Sequence, residues 1–151
     1  VDVTEEAWDT VFNINVKGLF FCAQAVGKVM IAQRKGKIIN ISSQSGSVAL
    51  IKRAAYCSSK GGVNLLTKVL ALEWAKYNVL VNAVAATFLE TPMTKPMLAE
   101  KEFRDYVMGN ILLGRLAQYE DVIGAVIYLA SGASNMVTGH VLLVDGGWTA
   151  H

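Results

Sequence analysis

Short apolar runs of strand type alternate along this chain with longer segments of helical spacing, and this alternation limits the folds that it can adopt. The strand runs are 37–42, 79–85 and 141–144. The predicted helical segments are 5–34, 55–77 and 120–131, with a helical loop at 92–112. Strands and helices that alternate in this way indicate an α/β fold with a parallel sheet and right-handed crossovers.

The composition agrees with a sheet that is buried on both faces. Hydrophobic residues make up 53% of the 151 residues, and the mean hydropathy is +0.38. The length allows one domain, and we expect residues 1–151 to form a single partial domain. The stretch 122–144 has no Asp, Glu, Lys or Arg. Its interior serine, glycine and asparagine residues predict a helix, a loop and a strand rather than a membrane span.

Charge and cysteine content argue against several kinds of partner. The formal net charge is +2 and the basic residues are scattered, so we expect no nucleic-acid partner. Cys22 and Cys57 have no CxxC spacing and resemble the small buried apolar residues of a cytoplasmic protein. His140 and His151 form no metal-binding set with them. We therefore expect a cytoplasmic protein with no metal site and no membrane partner.

Three side chains have a spacing that suits proton transfer. Ser43 follows the first predicted strand, at the sheet edge where open α/β folds bind ligands. Tyr56 and Lys60 are four residues apart on the next predicted helix, so they share one face. A phenol in water keeps its proton up to about pH 10, and a fixed cation nearby stabilises the phenolate. With a serine hydroxyl to hold the substrate oxygen, the arrangement suits proton transfer to or from an alcohol.

Each of these features also has an ordinary structural explanation. A Tyr-x-x-x-Lys pair on a helix is usually a surface pair, and Ser-Ser after a strand usually serves a turn or a helix cap. Asn15, in FNINVKG, taken alone would mark a kinked helix turn. We expect Asn13 and Asn40 to be structural. The functional interpretation gains weight only because further motifs accompany the triple.

Five motifs, in order, resemble the C-terminal part of the short-chain dehydrogenase/reductase family. The resemblance runs from about residue 3 to residue 150 and rests on WDTVFNINVKGLFF, NISSQSG, YCSSK, VLVNAVAATFLETPM and VTGHVLLVDGGW. It implies a doubly wound Rossmann fold and an oxidoreductase that uses NAD or NADP. The same resemblance implies four catalytic residues, which are Asn15, Ser43, Tyr56 and Lys60.

The resemblance assigns a role to each of the four. Tyr56 would be the general acid/base, and Ser43 would hydrogen-bond the carbonyl or alcohol oxygen. Lys60 would assist Tyr56 and bind the nicotinamide ribose, while Asn15 would hold a water that links Lys60 to solvent. Hydride would pass directly between the nicotinamide and the substrate carbon.

Ligand contacts are implied in the same way. Leu89, through its backbone N–H, and Thr91, through its hydroxyl, would face the nicotinamide carboxamide, although Thr91-Pro92 is also an ordinary helix start. Gln44 and Ser45 would line the substrate pocket together with segment 92–112. The chain departs from the family at one place in this loop, because Ala86-Thr87 stands where the family usually has Pro-Gly.

The glycine-rich strand-to-helix turn that binds a dinucleotide pyrophosphate does not occur in this sequence. Gly61-Gly62 lies inside a predicted helix, where close approach of another backbone is the expected reason, and Gly146-Gly147 is predicted to be a turn. We therefore expect the chain to be the catalytic half of a longer Rossmann protein, whose N-terminal half is absent here. The 151 residues alone should not bind the dinucleotide and should be inactive.

Substrate and assembly are less constrained by the sequence. DGGWTA and TFLETPMTKPM most resemble family members that act on sugar acids and polyols, such as gluconate or deoxygluconate dehydrogenases. The alternatives are a 3-oxoacyl carrier-protein reductase and a non-catalytic fragment that only packs and associates. The resemblance also implies a homotetramer, with helices 5–34 and 55–77 pairing across two-fold axes. The candidates for the apolar stripe at this interface are Phe20, Val63, Leu66 and Leu70.

Overall fold

Three parallel strands form the sheet in a computed structural model that describes all of residues 1–151. The strands are β1 (Gly36–Ile41), β2 (Val79–Ala86) and β3 (Val141–Val144). Their order in the sheet is β1-β2-β3, and both pairings are parallel. The predicted α/β fold with a parallel sheet is therefore confirmed.

Six α-helices connect and cover the strands. They are α1 (Glu5–Phe12), α2 (Leu19–Gln33), α3 (Ala54–Trp74), α4 (Lys95–Leu98), α5 (Lys101–Asn110) and α6 (Tyr119–Ala130). The stretch 122–144 consists of the rest of α6, a short turn and β3, as the sequence predicted. The polar residues inside this stretch lie in the connection between the end of α6 and the start of β3.

The first predicted helix is a continuous helical run with a π-helical segment inside it. Thr4 caps its start, where the hydroxyl accepts a hydrogen bond from the amide of Ala7 at 3.2 Å. α1 and α2 are joined by the π-helical residues Asn13–Gly18. By length and composition alone the run Glu5–Gln33 could cross a membrane, but it carries Ala23 into the cluster described next.

The main core lies between the sheet and the helices α2 and α3. Its buried members are Ala23, Leu70, Ala71, Val79 and Val81. Burying a valine or leucine side chain completely contributes roughly 1.5–3 kcal/mol, so this contact fixes α3 against β2.

The structure corrects the predicted burial of several helix residues. Val63 and Leu70 were predicted to lie on an interface stripe, but they are buried against the sheet. Both share the helix face of Thr67, which is also buried. Cys22 was predicted to be buried, but it is exposed because the neighbouring Ala23 occupies the core-facing position.

A second cluster holds the segment that follows β2. Leu98, Val107, Ile111 and Trp148 are its buried members. The predicted helix start at Thr91-Pro92 is wrong, because residues 92–94 form a turn and α4 begins at Lys95. The Thr91 hydroxyl accepts a hydrogen bond from the Thr94 amide, which is typical of a turn.

Candidate active site

Ser43 lies just beyond the carboxyl end of β1. The ladder continues past the strand, because the Ser42 amide donates to the Val84 carbonyl at 2.8 Å. The Ser43 hydroxyl is 3.0 Å from both the Gln44 Oε1 and the Ser45 Oγ, and it accepts from the Ser45 amide at 3.1 Å. A hydroxyl has one proton to donate. These contacts hold the oxygen of Ser43 in place while its proton can be redirected to a ligand.

The adjacent Ser42 has a different environment. Its hydroxyl donates to the Asn64 Oδ1 at 2.5 Å and lies 3.4 Å from the Lys60 carbonyl, both on α3. Ser42 therefore fastens the end of β1 to α3. This placement agrees with the assignment of the catalytic role to Ser43 rather than to Ser42.

Tyr56 and Lys60 share one face of α3, as their spacing predicts. The Lys60 Nζ lies 5.8 Å from the centroid of the Tyr56 ring and donates a hydrogen bond to the Ile41 carbonyl at 3.0 Å. Burial lowers the pKa of the Lys60 ammonium below its ordinary value. Tyr56 is 36% exposed as a residue, and its hydroxyl makes no hydrogen bond within the chain.

Asn15 lies in the π-helical segment and reaches across to α3. Its Nδ2 donates to the Ser59 Oγ at 3.0 Å, and Ser59 in turn donates to the Tyr56 carbonyl at 2.7 Å. The segment is thus distorted, as the structural explanation predicted, but the Asn15 side chain bonds to α3 and not to its own backbone. Asn15 makes no direct hydrogen bond to Lys60, so its predicted water remains a prediction.

Ser59 is a positioning residue that the sequence interpretation missed. It is completely buried and links Asn15 to the backbone of Tyr56. A serine one helical turn after the tyrosine was the available signal, but serine is common on helices. Only the packing of the π-helical segment against α3 shows its role.

Gly46 is the second residue that was missed. A Cβ at this position would lie 2.8 Å from the Lys60 carbonyl oxygen and 2.6 Å from the Asn64 Nδ2. The turn that carries Ser43 therefore docks on α3 only because residue 46 has no side chain. At Gly61 and Gly62, by contrast, an added Cβ would make ordinary contacts at 3.7 and 3.5 Å. The close backbone contact was predicted at Gly61-Gly62, but in the structure the glycine that permits it is Gly46.

Gln44 and Ser45 are both buried at the sheet edge. The Gln44 Oε1 accepts a hydrogen bond from the Ser43 hydroxyl, and the Gln44 side chain makes no other hydrogen bond. The Gln44 amide nitrogen is therefore available to donate to a ligand beside Ser43.

The loop after β2 presents a donor and an acceptor that suit a carboxamide. The Leu89 amide donates no hydrogen bond within the chain. The Thr94 hydroxyl donates its one proton to the Leu89 carbonyl. In the hydrogen bond between the Thr91 and Thr94 hydroxyls, at 3.0 Å, the donor is therefore Thr91. The Thr91 Oγ1 also accepts from the Thr94 amide, which leaves it one lone pair. Leu89 N–H and Thr91 Oγ1 thus offer the donor and the acceptor that a nicotinamide carboxamide needs.

Thr87, at the departure from the Pro-Gly pattern, is buried, and its hydroxyl has no hydrogen-bond partner. An unpaired buried hydroxyl costs roughly 1–3 kcal/mol. Its backbone remains in the ladder, because the Thr87 amide donates to the Val144 carbonyl at 3.1 Å. Thr87 in this position therefore preserves the strand pairing. The free-energy cost comes from its unpaired hydroxyl.

Two of the principal clefts of the chain include residues of the loop after β2, Thr87 in one and Leu89 in another. A cleft of about 200 Å³ is lined by Thr87, Asp145 and the Arg115–Asp121 ion pair. Hydrogen bonds from Arg115 and from the Gln118 amide hold the pKa of Asp121 well below its usual range. None of the four principal clefts includes Ser43, Tyr56 or Lys60. No group of three or more His, Cys, Asp or Glu side chains is placed to hold a metal ion.

Comparisons with known proteins place the chain in a wider family. A protein-family model described as "Enoyl-(Acyl carrier protein) reductase" matches residues 1–149. The NAD-dependent glycerol dehydrogenase of Listeria innocua serovar 6a is 41% identical over 148 residues, which are 98% of this chain and 58% of that protein. The 2-dehydro-3-deoxy-D-gluconate 5-dehydrogenase of Escherichia coli K12 is 40% identical over 151 residues, covering 99% of this chain and 60% of that protein.

A solved structure extends the likeness to three dimensions. The crystal structure of a gluconate 5-dehydrogenase from Burkholderia cenocepacia J2315, in complex with NADP and tartrate, superposes with a TM-score of 0.97 at 37% identity. The match covers 99% of this chain and 59% of that chain. The chain thus spans about three fifths of the length of the relatives that it matches.

Proposed function

Because the chain belongs to the short-chain dehydrogenase/reductase family, we propose that its protein is an NAD- or NADP-dependent oxidoreductase that interconverts a secondary alcohol and a ketone. The observation that carries the proposal is the placement of Tyr56 and Lys60 on α3, against which the turn bearing Ser43 is docked. Ser43 and the Lys60 ammonium, which donates to the Ile41 carbonyl, lie at the carboxyl edge of the sheet, where α/β folds bind ligands.

Each of these residues has a separate role in the reaction. In alcohol oxidation Ser43 donates its hydroxyl proton to hold the substrate oxygen, and the Tyr56 phenolate removes the alcohol proton. The Lys60 ammonium stabilises the phenolate beside it. Bound NAD or NADP supplies the hydride chemistry. In ketone reduction Tyr56 returns its proton to the same oxygen.

Cofactor and substrate are held by separate parts of the site. Leu89 N–H and Thr91 Oγ1 would bind the nicotinamide carboxamide, and Lys60 would also reach the ribose. Gln44 and Ser45 would line the substrate side together with Ser43 and Tyr56. Asn15 orients the first turns of α3 through Ser59 and would hold the water that exchanges protons with Lys60.

We place the substrate among the polyols and sugar acids, because the similar proteins are named for glycerol and deoxygluconate. The alternative is reduction of an oxo group on an acyl carrier protein. The description of the matching family model also names an acyl carrier protein, but with an enoyl group as the one that is reduced. We further propose a cytoplasmic homotetramer that acts on small molecules.

The test is to replace Tyr56 by Phe in the protein at its natural length, with Tyr119→Phe on α6 as the matched control. Phenylalanine keeps the ring and removes the proton, so oxidation of the best alcohol should fall by about 10²-fold or more, since positioned proton transfer contributes ~10²–10⁴ in rate. Cofactor affinity and the activity of Tyr119→Phe should stay unchanged. If Tyr56→Phe kept activity within about tenfold of the parent, Tyr56 would not be the general acid/base.

A further inference from the structure

A guanidinium without an acidic partner lies beside the proposed site. Arg53 precedes α3 and stands three residues before Tyr56. The Cys57 amide donates to its carbonyl at 2.8 Å, so the carbonyl of Arg53 is part of the first helical turn. Arg53 is the N-cap of α3, and its backbone (φ −131°, ψ 33°) is not itself helical. Its side chain therefore leaves the chain one turn before the phenol that is proposed to transfer the proton.

The Arg53 side chain points towards the segment that follows β2. Its Nη2 lies 2.9 Å from the Met97 Sδ on α4, and its Nη1 lies 3.4 Å from the Lys52 carbonyl. α4 is held in place by Leu98, a member of the buried cluster against which Val48 and Leu50 pack. Both of these residues belong to the connection between Ser43 and Tyr56. The guanidinium thus contacts α4 from the start of α3, the helix that carries Tyr56 and Lys60.

No carboxylate neutralises this charge. The ion pairs of the chain are Lys101–Asp105 and Arg115–Asp121, and neither involves Arg53. A thioether sulfur is a weak acceptor, and most of the N–H donors of the guanidinium are left unused. Arg53 is half-buried, and a charge removed partly from water is stabilised by a counter-ion. A carboxylate can bind an arginine through two parallel hydrogen bonds.

We propose that Arg53 binds a carboxylate of the substrate, so that the protein acts on hydroxy acids of the sugar-acid type in preference to neutral polyols. This inference rests on the proposed alcohol oxidation and names its substrate class. The carboxylate binds at Arg53 while the reacting hydroxyl, a few carbons away, is held by Ser43 and Tyr56. Arg53 then selects the substrate and fixes which hydroxyl reaches the phenol.

The experiment compares D-gluconate with D-glucitol, which differ in a carboxylate against a CH₂OH group. The natural-length protein is assayed as the parent, Arg53→Met and Arg53→Lys. Arg104→Met serves as the matched control, because Arg104 lies on α5, is exposed and makes no hydrogen bond through its side chain. Methionine keeps an unbranched stem against Met97 and removes only the charge.

The parent should prefer gluconate. In Arg53→Met, kcat/KM for gluconate should fall by roughly 10- to 100-fold, as expected for losing hydrogen bonds to a charged group. The value for glucitol should change by less than about threefold, because a neutral polyol gains little from the cation. Arg53→Lys should recover part of the loss, and Arg104→Met should match the parent.

A second readout does not depend on turnover. With saturating cofactor, gluconate should raise the Tm of the parent and of Arg104→Met but not that of Arg53→Met, while the cofactor alone raises the Tm of all of them equally. The inference is overturned if gluconate fails to raise the Tm of the parent, or if Arg53→Met lowers kcat/KM equally for both substrates. It is also overturned if Arg53→Met loses the protection by cofactor, since the cation would then serve a cofactor phosphate.

The outcomes separate this inference from the proposed function. If the parent oxidises glucitol in a Tyr56-dependent reaction but shows no preference for gluconate, Arg53 has no carboxylate to bind and the proposed function stands. If no alcohol is oxidised and Tyr56→Phe changes nothing, the proposed function fails and the Arg53 inference fails with it.

Discussion

Ser42 and Ser43 show how two adjacent residues of one type acquire different roles. Successive side chains at a strand end face opposite sides. The Ser42 hydroxyl is committed to Asn64 on α3, whereas the Ser43 hydroxyl stays within its own turn. The sequence alone gave only the spacing to Tyr56 as a reason to choose between them.

We expect Ser43→Ala and Ser42→Ala to separate activity from stability. Ser43→Ala should lower kcat by about 10²-fold or more, because it removes a hydrogen bond to the reacting oxygen. Ser42→Ala should lower the free energy of unfolding by roughly 1–3 kcal/mol, since it leaves the Asn64 Oδ1 without its donor. Urea titration and steady-state kinetics on both variants check this. The opposite pattern would exchange the two roles.

The lowered pKa of Lys60 makes a pH-dependent contribution to stability. Burial disfavours the ammonium, so Lys60 releases its proton at a lower pH when folded than when unfolded. Between the folded value and the ordinary value of 10.5, the unfolded chain binds more protons. The contribution of Lys60 to the free energy of unfolding therefore rises with pH in that window.

We expect this rise to disappear in Lys60→Met. The difference in unfolding free energy between the parent and Lys60→Met should increase from neutral pH towards pH 10.5, in favour of the parent. Lys68→Met, at an exposed position of α3, should show no such trend. Denaturant titrations at several pH values measure it. A difference that stays constant or falls with pH would contradict the burial of Lys60.

At the scale of elements, the docking of the Ser43 turn on α3 depends on Gly46. We expect Gly46→Ala to destabilise the protein by about 1–3 kcal/mol, because its Cβ would press on the Lys60 backbone, which cannot move freely. Activity should fall as well, since the turn carries Ser43. Gly61→Ala is the control: its Cβ has room, and alanine should stabilise α3 by up to ~1 kcal/mol. Equal Tm values for the two variants would disprove the close docking.

Elements were predictable where local pattern and tertiary contacts agree. β3 was predicted at its observed bounds, and α3 begins within one residue of its predicted start. The split of segment 92–112 into α4 and α5 was not predictable. α4 has four residues, too few to form alone, and depends on the burial of Leu98 in its cluster. Local patterns contain no information on that contact.

In the candidate site, too, some features follow from local pattern and others depend on tertiary contacts. The proximity of Tyr56 and Lys60 was predictable because residues four apart share one face of a helix. The catalytic roles of Ser43, Tyr56 and Lys60 stay predictions. The contributions of Ser59 and Gly46 arise from contacts between elements that are distant in sequence. Arg53 was not singled out for a related reason, because only the position of Met97 shows where its guanidinium points.

For the whole molecule, two helices present apolar side chains to solvent. On α2 and α3 the exposed residues are Phe21, Val26, Val29, Leu65, Val69 and Leu72. These replace Val63 and Leu70 in the predicted stripe, because the period of α3 directs that pair to the sheet. Phe20 and Leu66 are partly buried. Exposed apolar surface on adjacent helices is typical of an interface.

We therefore expect the natural-length protein to self-associate, most simply as a tetramer built from isologous pairs. Val69→Glu would bury a charge in each interface and should shift the protein towards smaller species in light scattering. Met136→Glu is the control, because Met136 is exposed in the turn before β3. A parent that is monomeric at micromolar concentration, or a Val69→Glu variant of unchanged mass, would contradict this assembly.

We propose that this site transfers hydride directly between a substrate carbon and a nicotinamide, with Tyr56 moving the proton. The most direct measurement uses the best alcohol substrate deuterated at its reacting carbon, with mass analysis of the reduced cofactor. We predict that each turnover of the parent places one deuterium in the reduced cofactor, and that Tyr56→Phe slows this labelling by about 10²-fold or more. Reduced cofactor without deuterium, or labelling at the parental rate in Tyr56→Phe, would contradict the account.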